Sequence, residues 1–335
     1  MNHSVYINSI KQISAQQPLG EDWFDNPVLY TEPYVRSLEP DYKQFFTPNE
    51  ARRYGKILKR ALLVSRQVMA ESGVSLPDAI ITGTGLGCIE STEIFLDKLV
   101  REGEEFLNPT HFMQSTHNTI GSLIAIDTQC KSYNNTYSLK GISFECALQD
   151  AFLQLQNDIS TVLVGAHDEM LPAYFTLLVK AGYVGKPNQT FAGETAVAMM
   201  LSKNKTENTW CKVVAVEKVY SGVKELIGVK ELIDTGNMDF VMVGTNGVEE
   251  NDKVYYENCA KLFPNVPLLQ YKNIFGESYT APALGVYAAA TCLKRGEIPK
   301  QLQITNYELR NNRPNRILCY NHFENKNHTF ILLSK

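Results

Sequence analysis

Ala79-Ile-Ile-Thr-Gly-Thr-Gly-Leu-Gly87 is an apolar run that breaks into three glycines, and a helical stretch from Ser91 to Val100 follows it. A short apolar segment, a glycine turn and a helix are the parts of an α/β unit, in which a buried strand hands over to a helix that covers the sheet. The spacing is G-x-G-x-G, not the G-x-G-x-x-G of a dinucleotide-binding loop, and no ribose-binding acid follows in a βαβ unit. The turn therefore reads as tight backbone folding with no nucleotide attached.

Working outward, Thr47-Pro-Asn-Glu50 is a capping box with Pro at the first helical position. Tyr54, Ile57, Leu58, Ala61, Leu62, Val68 and Met69 then recur at helical spacing, predicting one amphipathic helix that ends near Gly73. A β-like opening lies at Val5 to Ile10. Downstream, Asn118 to Ile126 reads as a buried helix, Asn135 to Ser138 as a short extended segment, and Phe144 to Gln154 as a helix. Thr161-Val-Leu-Val-Gly165 and Gly193 to Leu201 read as buried strands. The polar stretch Asn204 to Asn208 marks a boundary between halves 1–208 and 209–335. The second half repeats the grammar of the first, with strands at Lys212 to Val219, Phe240 to Gly244 and Pro267 to Tyr271. A helix from Ala281 to Arg295 and strands near Arg316 to Tyr320 and Thr329 to Leu333 complete it. Two similar halves of alternating strands and helices predict a layered α/β/α/β/α architecture.

With 335 residues, 44% of them hydrophobic, the chain can bury a large core. Its 32 Lys and Arg against 36 Asp and Glu give a formal net charge of -4, so no broad electrostatic attraction to nucleic acid or an anionic membrane is expected. The seven cysteines form no C-x-x-C pair and no Cys/His cluster of zinc spacing, so no metal or cofactor is expected and a reduced, cytoplasmic setting fits. The start shows no secretory signal, and no apolar run approaches membrane-spanning length.

Three further stretches resemble segments of the β-ketoacyl synthases. Phe106-Leu-Asn-Pro-Thr-His-Phe-Met-Gln-Ser-Thr-His-Asn118 is similar to the family's S-P-x-x-F-x-x-S-x-x-N. Phe191-Ala-Gly-Glu-Thr-Ala196 resembles its G-E-G-A turn. Lys272-Asn-Ile-Phe-Gly-Glu-Ser-Tyr-Thr-Ala-Pro-Ala-Leu-Gly285 is similar to K-x-x-x-G-H-x-x-x-A-A-G. They fall in the family's order over nearly the whole chain. The resemblance implies a thiolase-like fold that commonly dimerises. It also implies acyl transfer and decarboxylative condensation by a Cys with two His or with His and Asn. There a thiolate at a helix N-terminus attacks an acyl-carrier-protein thioester, and the histidines stabilise the enolate and oxyanion.

Against the family's C-A-S-x-x-H-A-L-x-D-A, the stretch Gly141-Ile-Ser-Phe-Glu-Cys-Ala-Leu-Gln-Asp-Ala151 places Gly141 on the nucleophile. The histidine of H-G-T-G-T becomes Gly244, the histidine of K-x-x-x-G-H becomes Glu277, and Lys272 is retained. Glycine offers nothing to acylate. Ser143 and Cys146 are the nearest substitutes and should lie inside the helix as structural residues, and Lys272 with Glu277 suggests an ion pair in place of the catalytic centre. His111, His117, His167, Asp168 and Glu169 permit a Ser143 hydrolase on paper, but Ser143 is not in a G-x-S-x-G elbow. The family's F-G-F-G-G loop is replaced by Tyr320-Asn-His-Phe-Glu-Asn-Lys-Asn-His328, in which His322 and His328 read as residues of a solvated loop.

The resemblance thus points to a non-condensing ketosynthase homologue. Like a chain-length factor, it would pair as a dimer with an active ketosynthase in fatty acid, polyketide or aryl-polyene-type biosynthesis and meet an acyl carrier protein. The dimer strand would be Asn135 to Lys140. Alternatives are an acyl-thioester hydrolase or decarboxylase using Ser143, Cys146 or Glu277, and a homodimeric acyl-binding protein.

Overall fold

The computed structural model describes residues 3–105, 107–220, 238–304 and 312–335, so Phe106 of the quoted segment lies outside the described residues. The first half runs β1 (Val5–Ile13), α1 (Pro48–Arg53), α2 (Lys56–Ser72), β2 (Ala79–Gly83), α3 (Ile89–Glu102), α4 (Pro109–Gln114) and α5 (Thr119–Thr128). It continues with β3 (Tyr133–Tyr137), α6 (Ser143–Gln154), β4 (Thr161–Asp168), α7 (Pro172–Lys180) and β5 (Thr195–Ser202). The second half runs β6 (Cys211–Tyr220), β7 (Phe240–Val243), α8 (Glu249–Leu262), β8 (Leu268–Gln270), α9 (Lys272–Phe275), α10 (Pro282–Arg295), β9 (Arg316–Phe323) and β10 (Asn327–Ser334).

The strands form one sheet in the order β3-β2-β4-β5-β1-β6-β10-β9-β7-β8. Read outward from the seam where Val5 to Ile7 meet Cys211 to Val213, both halves follow one scheme: first, fifth, fourth, second and third strand. In each half the fourth, second and third strands are parallel and the fifth is antiparallel to its neighbours. The repeated grammar of the sequence is thus a repeated topology.

Alternation along the strands sorts the core into layers. Val162, Val164 and Ala166 of β4 join the central cluster while Leu163 joins an outer one, and on β9 Ile317 and Cys319 face inward while Leu318 and Tyr320 face outward. The central cluster holds α6 and α10, packed between the two half-sheets. On the outer faces lie α2 and α5 over the first half and α8 over the second. This is the expected α/β/α/β/α layering. Twelve of the 14 residues of α10 are buried, as a helix covered on all sides requires.

The predicted helix from Thr47 to Gly73 is two helices. Thr47 and Glu50 do close a capping box, but Tyr54 turns extended (φ -107°, ψ 131°) and Gly55 becomes the cap of a second helix. Glycine inside a helix forfeits stability, so the apolar rhythm continues across a break. Gly73 ends α2 in the left-handed region, as read. The helix at Asn118 to Ile126 is buried on one face only: Ile120 and Ile124 are covered and Ile126 is 66% exposed. Four helices, α4, α7, α8 and α9, were not anticipated. The signal for α8 was present, since its buried Tyr255, Asn258, Cys259 and Leu262 follow helical spacing among charged neighbours.

The stretch Tyr320 to His328 is a β-hairpin and not a solvated loop, which corrects the reading of its histidines. His322 and His328 stand opposite each other on β9 and β10, at 8% and 2% exposure. The Tyr320 hydroxyl lies 2.9 Å from His328 Nδ1, and His322 Nε2 lies 3.0 Å from the Asn251 carbonyl oxygen. Burial drives the His322 pKa down to about 4 and lowers that of His328 as well. Only Glu324, Asn325 and Lys326 form the exposed turn.

Candidate functional site

A cavity of about 500 Å³ opens where the ends of β4, β7 and β9 meet the start of α6. Gly141, Gly244, Lys272 and Glu277, separated in sequence, all line it. The chain reaches Gly141 through a sharp turn in which Lys140 takes a left-handed conformation (φ 50°), and α6 begins two residues beyond the glycine. A side chain at 141 has no free space: a Cβ built there would overlap the Phe323 ring, which comes from the far end of the chain on β9.

The space beside Gly244 is filled in the same manner. A Cβ there would come within 2.6 Å of the Tyr255 hydroxyl oxygen and 3.0 Å of Asn321 Oδ1. Tyr255 donates to Asn321 Oδ1 at 2.9 Å and accepts from the His322 backbone N–H at 3.2 Å. Lys272 Nζ reaches Glu277 Oε2 at 2.8 Å, and Asn246 Nδ2 donates to the same oxygen at 3.0 Å. The anticipated Lys272–Glu277 pair is therefore formed, with the lysine 7% and the glutamate 23% exposed.

Ser143 and Cys146 do not line this cavity. Ser143 is the first residue of α6, not an interior one, yet it is fully buried. Its hydroxyl donates to the Lys140 carbonyl at 2.7 Å and accepts from the Leu139 N–H at 2.8 Å. Cys146 is buried, which raises its thiol pKa against the pull of Lys218, whose Nζ lies 3.1 Å from Sγ. His167 and Asp168 are consecutive on β4, so they point to opposite faces of the sheet. Burial pushes His167 down to about 3, and neither ring nitrogen has a hydrogen-bond partner among the described residues. No Ser143–His–Asp relay is assembled among these groups.

Asp168 has another task. Its Oδ1 accepts from Thr84 Oγ1, Gly85 N and Leu86 N at 2.9–3.1 Å, so the amides of the glycine turn are satisfied by a carboxylate of the protein. Gly85 is bare because Tyr279 packs onto it. Burial raises Asp168 to about 6 and Glu169 to about 7. Among the described residues no cluster of His, Cys, Asp or Glu side chains could hold a metal, and no helix is long and apolar enough to cross a membrane.

Four participants escaped the sequence reading: Phe323, Tyr255, Asn321 and Glu145. Glu145 is fully buried on α6. Its Oε1 accepts from Asn321 Nδ2 at 2.7 Å and Thr329 Oγ1 at 3.0 Å, while burial raises its pKa to about 7. A signal existed, since Glu145 lies one position after buried Phe144 and three before buried Leu148.

The family described as β-ketoacyl synthase, N-terminal domain, matches residues 32–227. The chain belongs to the β-ketoacyl synthase family. No curated protein matches it by sequence. Among solved structures it is similar to the ishigamide ketosynthase/chain length factor, at 14% identity over 100% of both chains and a TM-score of 0.81. A β-ketoacyl synthase from Burkholderia phymatum gives 13% identity over 99% of each chain and a TM-score of 0.80. A ketosynthase in complex with its chain length factor, from Xenorhabdus doucetiae, gives 12% identity over 99% of this chain and 98% of the other, with a TM-score of 0.77. At such identities the structures establish the thiolase-like fold of a ketosynthase and leave the chemistry to the residues of this chain.

Proposed function

We propose that this protein is a non-condensing ketosynthase homologue that works, like a chain length factor, as the partner of an active ketosynthase in fatty acid, polyketide or aryl-polyene-type biosynthesis. The observation that carries this reading is the packing of Phe323 over Gly141: the position the resemblance assigns to the nucleophile has no reactive atom, and a ring fills the volume one would need. Gly244 and Glu277 stand where the resemblance puts the histidines, and the Lys272–Glu277 pair neutralises the centre. A carboxylate tied to an ammonium offers no electrophile to a developing enolate.

The surface supports a partner. Among the described residues β3 ends the sheet with one edge unpaired, and it overlaps Asn135 to Lys140, the region assigned from sequence to the dimer strand. Tyr133 on that strand and Leu139 just beyond it are exposed, as is Ile126 on α5, which packs beside it. In this reading the halves 1–208 and 209–335 form one scaffold that shapes an acyl tunnel with the partner and helps receive an acyl carrier protein. Similar structures include a ketosynthase paired with its chain length factor, and a ketosynthase in complex with its acyl carrier protein.

Co-expression with a ketosynthase that retains Cys-His-His, followed by purification on a tag carried by this chain alone, tests the proposal. A one-to-one heterodimer is expected. A homodimer that leaves the ketosynthase behind contradicts it and favours an acyl-binding protein.

A further inference from the structure

A second, much smaller cavity of about 10 Å³ lies behind the site, lined by Glu145, Tyr271 and Asn321 among others. That volume has room for about one water molecule. Two of the residues lining it end in buried polar atoms without a hydrogen-bond partner among the described residues, Glu145 Oε2 and Tyr271 Oη.

The other polar groups around the cavity are committed elsewhere. Asn321 Nδ2 and Thr329 Oγ1 donate to Glu145 Oε1, and the Tyr320 hydroxyl is shared between Asn258 and His328. The Cys319 thiol lies 3.9 Å from the Gly285 carbonyl oxygen. The remaining lining, Met242, Pro282, Gly285 and Ile331, offers no side-chain donor or acceptor. Two residues that carry orphaned polar atoms therefore line one water-sized space, and buried polar atoms in folded proteins find partners.

We propose that a single ordered water occupies this cavity and bridges Glu145 Oε2 to Tyr271 Oη. Water suits both ends because it can donate and accept, and a site with two polar partners is enough to hold it. The protonation of Glu145 fits the arrangement. Burial holds the carboxyl near neutrality, at about 7, and Oε1 already receives two donors, so the proton belongs on Oε2, where the water accepts it. The water thereby couples Glu145 to Tyr271 directly behind the Asn321 side chain, which also donates to the Gly141 carbonyl oxygen at 3.2 Å.

A crystal structure of the wild-type protein and of Tyr271→Phe tests this. The expected result is one water within hydrogen-bond distance of both atoms in the wild type, displaced or lost in the variant. An unfilled cavity walled by well-ordered side chains, or a Glu145 turned so that Oε2 meets a protein donor, would overturn the proposal. Infrared difference spectra between wild type and Glu145→Gln give a second readout. A protonated-carboxyl band at pH 6 that moves when Tyr271 becomes Phe is expected; a band that does not move contradicts the bridge.

Discussion

The Phe323 ring lies over the Cα of Gly141 in the volume that a side chain there would occupy, joining the hairpin near the C-terminus to the start of α6. In the proposed reading, in which Gly141 stands at the nucleophile position, Phe323 fills the volume of that side chain, and introducing a thiol there requires two changes. Gly141→Cys alone should cost about 1–3 kcal/mol as the ring is forced aside, and the new thiol should be alkylated slowly. Gly141→Cys with Phe323→Ala should recover stability and label faster. Equal stability and labelling rates in the two variants would contradict the steric account, as read by thermal unfolding and iodoacetamide kinetics.

Lys272 and Glu277 should behave as a coupled pair. Glu277→Leu strands a nearly buried ammonium and is expected to cost roughly 3 kcal/mol, the lower end for breaking a buried pair, because the glutamate is 23% exposed. Replacing both together, Lys272→Met with Glu277→Leu, should cost much less than either single change. A denaturation double-mutant cycle checks this, and additive losses would argue against coupling.

Stability should depend on pH through opposing groups. The ordinary carboxyl value of 4.5 becomes about 7 for Glu145 in the fold, so between these values the unfolded chain has released a proton that the folded one keeps. Rising pH therefore favours unfolding over that window. His167 and His322 fall from 6.5 to about 3 and about 4, so acidification below 6.5 also favours unfolding. Wild type should lose stability relative to Glu145→Gln from pH 4.5 to 7, by at most ~1.4 kcal/mol per pH unit. A difference that does not change with pH would sink the assignment.

All seven cysteines are free and buried. Burial raises the thiols of Cys88, Cys211, Cys292 and Cys319, and takes Cys259 up to about 12. The native protein should show no fast-reacting thiol at pH 8. Cys146, whose burial is partly offset by Lys218, should label before Cys88, Cys211, Cys259, Cys292 and Cys319. Mass mapping after timed alkylation reads the order, and rapid labelling of any thiol at a rate near that of the unfolded chain would contradict it.

The strand and helix order was legible because apolar runs and glycine turns are local signals, and the doubling of the halves followed from it. The break at Gly55 was not, since the apolar rhythm of Ile57 and Leu58 continues across it. His322 and His328 were misread because a polar, asparagine-rich stretch resembles a loop until its partners Tyr320, Tyr255 and the Asn251 carbonyl are known. At the site, motif order singles out Gly141, Gly244, Glu277 and Lys272, which line one cavity, whereas no motif points to Phe323 and Tyr255. Their importance lies in filling glycine-sized gaps from distant segments, and no local pattern carries that.

In the proposed reading this chain takes no acyl group while the ketosynthase it pairs with does. Intact-mass analysis of the purified complex with a Cys-His-His ketosynthase, after incubation with an acyl-carrier-protein thioester, tests it most directly. An acyl adduct on the ketosynthase and an unchanged mass for this chain are expected. A stable acyl adduct on this chain, at Ser143, Cys146 or any other residue, would contradict it.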